Sequence, residues 1–197
     1  MNVYEAAMKR RTIRRFKNKP VPYKVLEKCT DAGRMAPSGR NTQAYEYIIV
    51  DDEQRLPGIF DNIGGSVKLP PEQGGPRPEN TPRAYIIILI DKSLELIANQ
   101  RRMAIYDVGM AAENIILAAL EENIGCCPVL SFNEEGIKKA LAIPEGYDVG
   151  LVIAMGYPEE ISVVAEVTDT TTPWVDENMV RHVPKRKLAD ILHRNKF

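Results

Sequence analysis

Hydrophobic positions change period along the chain, and the changes divide it into elements. Asn2 with Glu5 three residues later matches a capping box, so a short first helix is expected through Met8. Pro20 and Pro22 punctuate the stretch after it, with Pro22 suited to the first turn of a second helix. Val25, Leu26, Cys29, Ala32 and Ala36 fall on one face of that helix. Pro37 stops it, because the residue before a proline is disfavoured in the α region. Residues 45–50 read as a strand, and 51–60 as a helix broken by Pro57 and Gly58. Residues 62–83 carry many Gly and Pro and predict a long loop, either a lid over a site or a surface excursion. Residues 84–90, Ala-Tyr-Ile-Ile-Ile-Leu-Ile, form a continuous β-branched run expected as a buried strand.

The longest helix is expected from about Gln100 to Asn123. Ala104, Val108, Ala111, Ile115, Ala118 and Ala119 line one side, and Met103, Met110, Ile116, Leu117 and Leu120 cover much of the rest. A helix apolar nearly all round is buried centrally or sits at a subunit interface. Gly125 is its expected C-terminal stop. Residues 126–132 form a short apolar segment in which Pro128 argues against a central strand. A small helix follows over 134–141. A buried strand over 150–155 then ends at Gly156-Tyr157-Pro158. From Glu159 the tail reads as polar and extended, closing on Lys185, Arg186, Lys187 and a short helix bearing Leu188, Ile191 and Leu192. No repeat or linker interrupts the pattern, so residues 1–197 are expected to be a single domain.

Composition narrows the function classes. The chain is 44% hydrophobic with a formal net charge of −1, a balance unlike that of a dedicated nucleic-acid binder. It has no membrane-spanning run and no secretory leader at its polar start. The three cysteines, Cys29, Cys126 and Cys127, make no disulfide framework and fit a reducing cytoplasm. Adjacent cysteines rarely close a relaxed disulfide, so packing is the expected role of Cys126-Cys127. His182 and His193 lack metal-ligand spacing relative to the cysteines, and no metal site is expected.

Two stretches carry chemistry. Residues 9–16, Lys-Arg-Arg-Thr-Ile-Arg-Arg-Phe, gather five cations around one hydroxyl. Guanidinium forks match phosphate oxygens two at a time, so this run reads either as an anion grip or as a solvated basic face. Its apolar brackets, Met8, Ile13 and Phe16, suggest a segment pinned to a core. The second stretch, residues 36–43, Ala-Pro-Ser-Gly-Arg-Asn-Thr-Gln, stands between a helix and a strand. Its N–H groups and carboxamides suit a heterocycle edge, and its composition equally suits an ordinary connecting turn.

Together these residues resemble the FMN-dependent nitroreductase family. Residues 10–16 look like the family's Arg-Arg-Ser-x-Arg-x-Phe phosphate segment, and residues 36–43 like its Ala-Pro-Ser-Ser/Gly-x-Asn-x-Gln loop. Residues 107–125 are similar to its long central helix, and Gly156-Tyr157-Pro158 to its strand end. The chain departs from common family patterns at Ala44-Tyr45, where Pro-Trp is frequent, and at Cys126-Cys127-Pro128-Val129, where many members read Cys-Trp-Ile-Gly.

The resemblance implies an α+β fold with a mostly antiparallel central sheet flanked by helices, built as an intertwined homodimer. Residues 159–197 would then be a tail packing on the partner subunit. It implies FMN held by both subunits. Arg10, Arg11, Thr12, Arg14, Lys185 and Arg186 would lie on the phosphate. Pro37, Ser38, Gly39, Asn41 and Gln43 would approach the isoalloxazine and ribityl groups, with Pro128, Val129 and Leu130 covering another part of the ring. NADH or NADPH would donate electrons by a ping-pong scheme to nitroaromatic, quinone or similar small-molecule acceptors. Neither nucleic acid nor membrane is implied as a partner, and no catalytic acid, base or nucleophile is named. Asp107 and Glu113 read as helix-surface or interface residues. A flavin-binding sensor or partner-binding module without NAD(P)H turnover stands as the alternative.

Overall fold

The two faces of one four-stranded antiparallel sheet organise the computed structural model, which describes residues 1–95 and 101–197. The strands are β1 (Tyr45–Val50), β2 (Ala84–Asp91), β3 (Gly125–Val129) and β4 (Tyr147–Gly156), in the spatial order β1-β2-β4-β3. Side chains alternate along β2. Ile86, Ile88 and Ile90 join one core with Leu151, Ile153 and Met155, while Tyr85, Ile87 and Leu89 join a second with Val149, Val152 and Ala154. A register shift between Ile88 and Leu89 sets Gly150 out of the ladder, so Val149 and Val152 share a face despite their odd spacing.

Helices cover both faces. Helix α1 (Val3–Lys9) opens on the expected capping box between Asn2 and Glu5. Helix α2 (Tyr23–Arg34) begins one residue after Pro22 and buries Leu26 and Cys29 against the long helix α5 (Arg101–Glu121). Gln100, the expected start of α5, lies outside the described residues. The opposite face carries α3 (Leu56–Phe60) and α6 (Glu134–Leu141), while the short α4 (Lys92–Glu95) follows β2. Pro57 does not interrupt α3. It sits in the first turn, where its missing N–H costs no intrahelical bond.

Three expectations are corrected. Gly125 does not end α5. Asn123 takes the left-handed conformation there, at φ 58°, and the Ile124 N–H closes back on the Ala119 carbonyl at 2.8 Å. Gly125 instead starts β3, whose Pro128 is tolerated because β3 is an edge strand. The tail is not merely extended: β5 (Ile161–Glu166), β6 (Trp174–Val175) and β7 (Val180–Lys185) form their own sheet, with β5 and β7 parallel. The expected terminal helix is a single 3-10 turn, Leu188–Asp190, whose neighbours Ile191 and Leu192 stay exposed like Leu188 itself.

Residues 62–83 pass through three 3-10 turns and are fastened at several points. The Gly64 N–H donates to the Ser131 carbonyl, the Asn80 carbonyl accepts from the Phe16 N–H, and the Arg83 N–H donates to the Met155 carbonyl. No helix among the described residues is long and apolar enough to cross a membrane.

Candidate functional site

The basic stretch is pinned to the sheet, as its apolar brackets suggested. The Ile13 N–H donates to the Cys126 carbonyl at 2.9 Å, and Thr12 bridges to Cys126 in parallel, so the segment extends the sheet beyond β3. Further on, the Lys17 N–H donates to the Tyr157 carbonyl, and the Arg15 carbonyl accepts from the Glu159 N–H. Ile13 and Phe16 are buried, while Met8 is exposed and takes no part.

The guanidinium groups divide by partner. Arg10 pairs with Glu113 of α5 at 3.2 Å. Arg11 turns back on its own chain and donates to the Met8 carbonyl at 2.7 Å and to the Arg10 carbonyl. Its Nε is nevertheless buried with no hydrogen-bond partner, an unfilled donor of the kind an anion satisfies. Burial, and then the neighbouring Arg10 charge, push the Arg11 pKa below its ordinary value. Arg14 donates to the Thr12 carbonyl at 3.4 Å. Its pKa is also lowered, first by burial and then by Arg181, with Cys127 and Glu160 opposing.

Two cavities adjoin along α5, and the first of them is walled by this segment. One, of about 500 Å³, is lined by Arg10, Arg11, Ile13, Ile116, Gly125 and Tyr157. The other, of about 540 Å³, is lined by Ile105, Gly109, Glu113, Pro128, Leu130 and Gly150. They share Ile116, and the Arg10–Glu113 ion pair joins their walls. Pro128 and Leu130, the latter 79% exposed, line the second cavity. Val129 does not. Strand alternation turns it into the opposite core, where it is buried among the partners of α3 and α6.

The loop of residues 36–43 is locked by hydrogen bonds of its own. The Gly39 N–H donates to both carboxylate oxygens of Asp107 at 3.1 Å, and the Gln43 N–H donates to the Ser38 hydroxyl at 3.0 Å. Arg40, Asn41 and Gln43 all adopt positive φ, near 50–55°, a conformation that persists only where surroundings impose it. Asp107 is thus a buried anchor, contrary to its surface reading, whereas Glu113 is exposed as expected. The two lie six residues apart on α5, roughly 120° around the helix axis. Among the described residues, none from Pro37 to Gln43 lines either cavity. One chain thus joins the basic segment to Pro128 and Leu130 but leaves the loop on another side of α5.

The tail contributes differently from expectation. Lys185 and Arg186 are exposed and line neither cavity, and Arg186 donates to the Asp190 carbonyl at 3.1 Å. The tail cation that reaches the basic segment is Arg181, buried on β7, which shares Glu160 with Arg15. Sequence reasoning missed Arg181, Glu160 and Asp107. Only the position of Glu160 directly after Gly-Tyr-Pro-Glu hinted at a placed carboxylate.

The family model described as Nitroreductase family matches residues 7–157. A Methanothermobacter thermautotrophicus protein carrying the provisional name NADH dehydrogenase/NAD(P)H nitroreductase is 31% identical over 166 residues, 81% of this chain and 79% of its own. An iodotyrosine deiodinase of Thermotoga neapolitana is 26% identical over 172 residues, 80% of this chain and 89% of that protein. Among solved structures, a nitroreductase family protein of Clostridium novyi aligns with a TM-score of 0.68 at 26% identity, over 81% of this chain and 88% of the other. An FMN-dependent nitroreductase of Clostridium difficile aligns with a TM-score of 0.67 at 22% identity, over 99% and 100%, a likeness of fold.

Proposed function

Because this chain belongs to the nitroreductase family, we propose that it is an FMN-dependent oxidoreductase that takes electrons from NADH or NADPH and delivers them to an aromatic acceptor such as a nitroaromatic or quinone. The buried, unfilled Nε of Arg11 beside a cavity walled by Arg10 carries the reading. An anion bound there would satisfy this donor, and a flavin phosphate is the anion that family membership suggests.

The residues present fit that group. Arg10 and Arg11, which line the cavity, would neutralise and hold the phosphate, and charge-assisted bonds of this type are the strong ones. Arg14 and Thr12 are assigned to it from the same segment, although they do not line that cavity. From the tail, Arg181 supports the segment through Glu160 and does not itself line the cavity. Pro128 and Leu130 give an apolar wall, and Ser38, Gly39, Asn41 and Gln43 from a second copy complete the polar edge. FMN, when bound, accepts hydride from the nicotinamide and passes electrons to the acceptor, so the protein needs no acid or base of its own. A single site used in turn by donor and acceptor gives ping-pong kinetics.

The same reading makes the protein a homodimer. The loop of residues 36–43 lies away from the basic segment of its own chain, and Ile105, Tyr106 and Met110 leave an apolar strip exposed on α5. The tail does not pack on the partner as a whole, since Glu160 and Arg181 are fixed to their own chain, and its exposed end at Leu188, Ile191 and Leu192 is the part left to meet a partner. Three unbridged thiols suit the cytoplasm. Relatives named iodotyrosine deiodinase extend the acceptor class to halogenated phenols.

Anaerobic titration of the purified yellow protein with NADH and with NADPH tests the proposal. Bleaching of the flavin absorbance, followed by reoxidation with a nitroaromatic or a quinone, supports it. A flavin that stays oxidised with both donors overturns it in favour of a sensor or partner-binding module.

A further inference from the structure

Glu160 is the point where three separate parts of the chain meet. Its side chain is 1% exposed, although it lies in the link just before β5. One carboxylate oxygen accepts the backbone N–H of Arg14 in a short hydrogen bond and that of Arg15 at 3.4 Å. The other lies 3.8 Å from the Arg15 Nε and 3.5 Å from the Arg181 Nε. Arg181 in turn donates to the Gly74 carbonyl at 2.8 Å. The basic segment, the tail sheet and the middle of the long loop are thereby tied to one buried anion.

We infer that Glu160 is a positioning residue of the phosphate grip, holding the backbone at Arg14–Arg15, with the buried Arg181 as its counter-charge, in the arrangement that recognises a phosphomonoester. The inference rests on the proposed FMN function and adds a residue to it. Cations crowded at one place repel, and a buried cation without a counter-charge is costly. A carboxylate that accepts two consecutive N–H groups also removes the freedom of the segment to twist. Glu160 therefore sets where the guanidinium groups point without itself touching the phosphate, which its like charge would repel.

Glu160→Gln separates this role from general support of the fold. The amide oxygen still accepts the two N–H groups, but its NH₂ end faces the Arg15 and Arg181 donors and releases them. The measurement is the ratio of dissociation constants for riboflavin and FMN, taken on folded apoprotein by flavin fluorescence. The preference for FMN should fall about tenfold in E160Q, the scale of one lost charge-assisted contact, and recover in part in E160D. The exposed neighbour substitution E159Q should leave it unchanged.

Loss of the FMN preference in folded E160Q, with riboflavin affinity retained, supports the assignment. An unchanged or raised preference overturns it. Where E160Q does not fold, E160D decides on the same ratio: a reduced preference supports the assignment and a wild-type ratio overturns it. A wild-type protein that binds FMN no better than riboflavin overturns the flavin-phosphate reading itself, an outcome distinct from failure of the Glu160 assignment alone.

Discussion

Gly125 and Gly156 face each other across the β3–β4 ladder, and the basic segment occupies the space that their side chains would fill. A Cβ on Gly125 would lie 2.8 Å from Ile13, and one on Gly156 would lie 2.8 Å from Phe16. The close approach of these backbones is what seats residues 13–16. Gly156→Ala is therefore expected to destabilise the protein by about 1–3 kcal/mol, the usual cost of overpacking. It should also loosen FMN, because the segment must lift. Thermal unfolding and flavin retention on dialysis check both, and wild-type behaviour in both would mean that the contact yields without cost.

The guanidinium groups themselves are tested by Arg11→Ala and Arg14→Ala. Each removes a charge-assisted partner of the phosphate, of order 1.5–3 kcal/mol. Bound FMN should be lost on dialysis of the double variant. Retention equal to that of the parent would show the basic run to be a solvated face.

Assembly is read from α5. Ile105 and Tyr106 are 64% and 65% exposed on a helix whose opposite face is buried in the core. Light scattering should report twice the chain mass of 22.1 kDa. Tyr106→Glu should shift the population toward monomer and weaken flavin binding together. A monomeric parent that still binds FMN would remove the shared-site proposal.

The cysteines are expected to be inert in the folded protein. Burial pushes the Cys127 thiol up to about 11, against the opposing charge of Arg14, and pushes Cys29 up to about 11 with help from Glu122. Cys126, also buried, is held well above its ordinary value by the same cause. Cys126 and Cys127 also point into opposite cores, as neighbours on a strand must, so they do not pair. A thiol-specific disulfide reagent at neutral pH should find almost no thiolate in the native state and all three thiols in denaturant. Fast native labelling would contradict this.

The Asp176–His182 contact at the edge of the tail sheet should loosen in acid. The Asp176 carboxylate meets the His182 Nε2 at 2.9 Å and accepts the Val180 and Asn178 N–H groups. These contacts, the His182 bond foremost, hold its pKa below the ordinary 3.8. A lowered carboxylate pKa contributes stability that is complete above the ordinary value and lost as pH falls through the lowered one. Trp174, the single tryptophan, stacks on His182 at 4.9 Å and reports the event. Its emission should change below about pH 3.8, the ordinary carboxylate value. The Asp176→Asn protein should lack that step and show the altered emission already at neutral pH. An identical acid profile in the variant would assign the change elsewhere.

Much of this molecule was legible in one dimension, because the signals were local. Tyr45–Val50 and Glu134–Leu141 appear with the expected bounds, and the Asn2–Glu5 capping box is present. Each depends on contacts within a few residues or on a strict period. The end of α5 was misread for the same reason. Asn123 and Gly125 both suit a left-handed turn, and only the packing of Ile13 on Gly125 decides which one takes it.

By itself, the sequence determined most helices and strands up to Gly156 and the chemistry available in the basic run and the small-residue loop. These follow from side-chain period, capping and proline geometry, while the antiparallel sheet came from the family resemblance. Tertiary structure alone decided that Val129 faces a core while Leu130 faces a cavity, that Asp107 is buried against Gly39, and that Arg181, not Lys185 or Arg186, joins the basic segment through Glu160. Those assignments depend on strand alternation and on contacts between distant residues, 68 positions apart for Gly39 and Asp107 and 146 for Arg14 and Glu160. Charge and hydrophobicity along a chain do not encode which distant partner a guanidinium will meet.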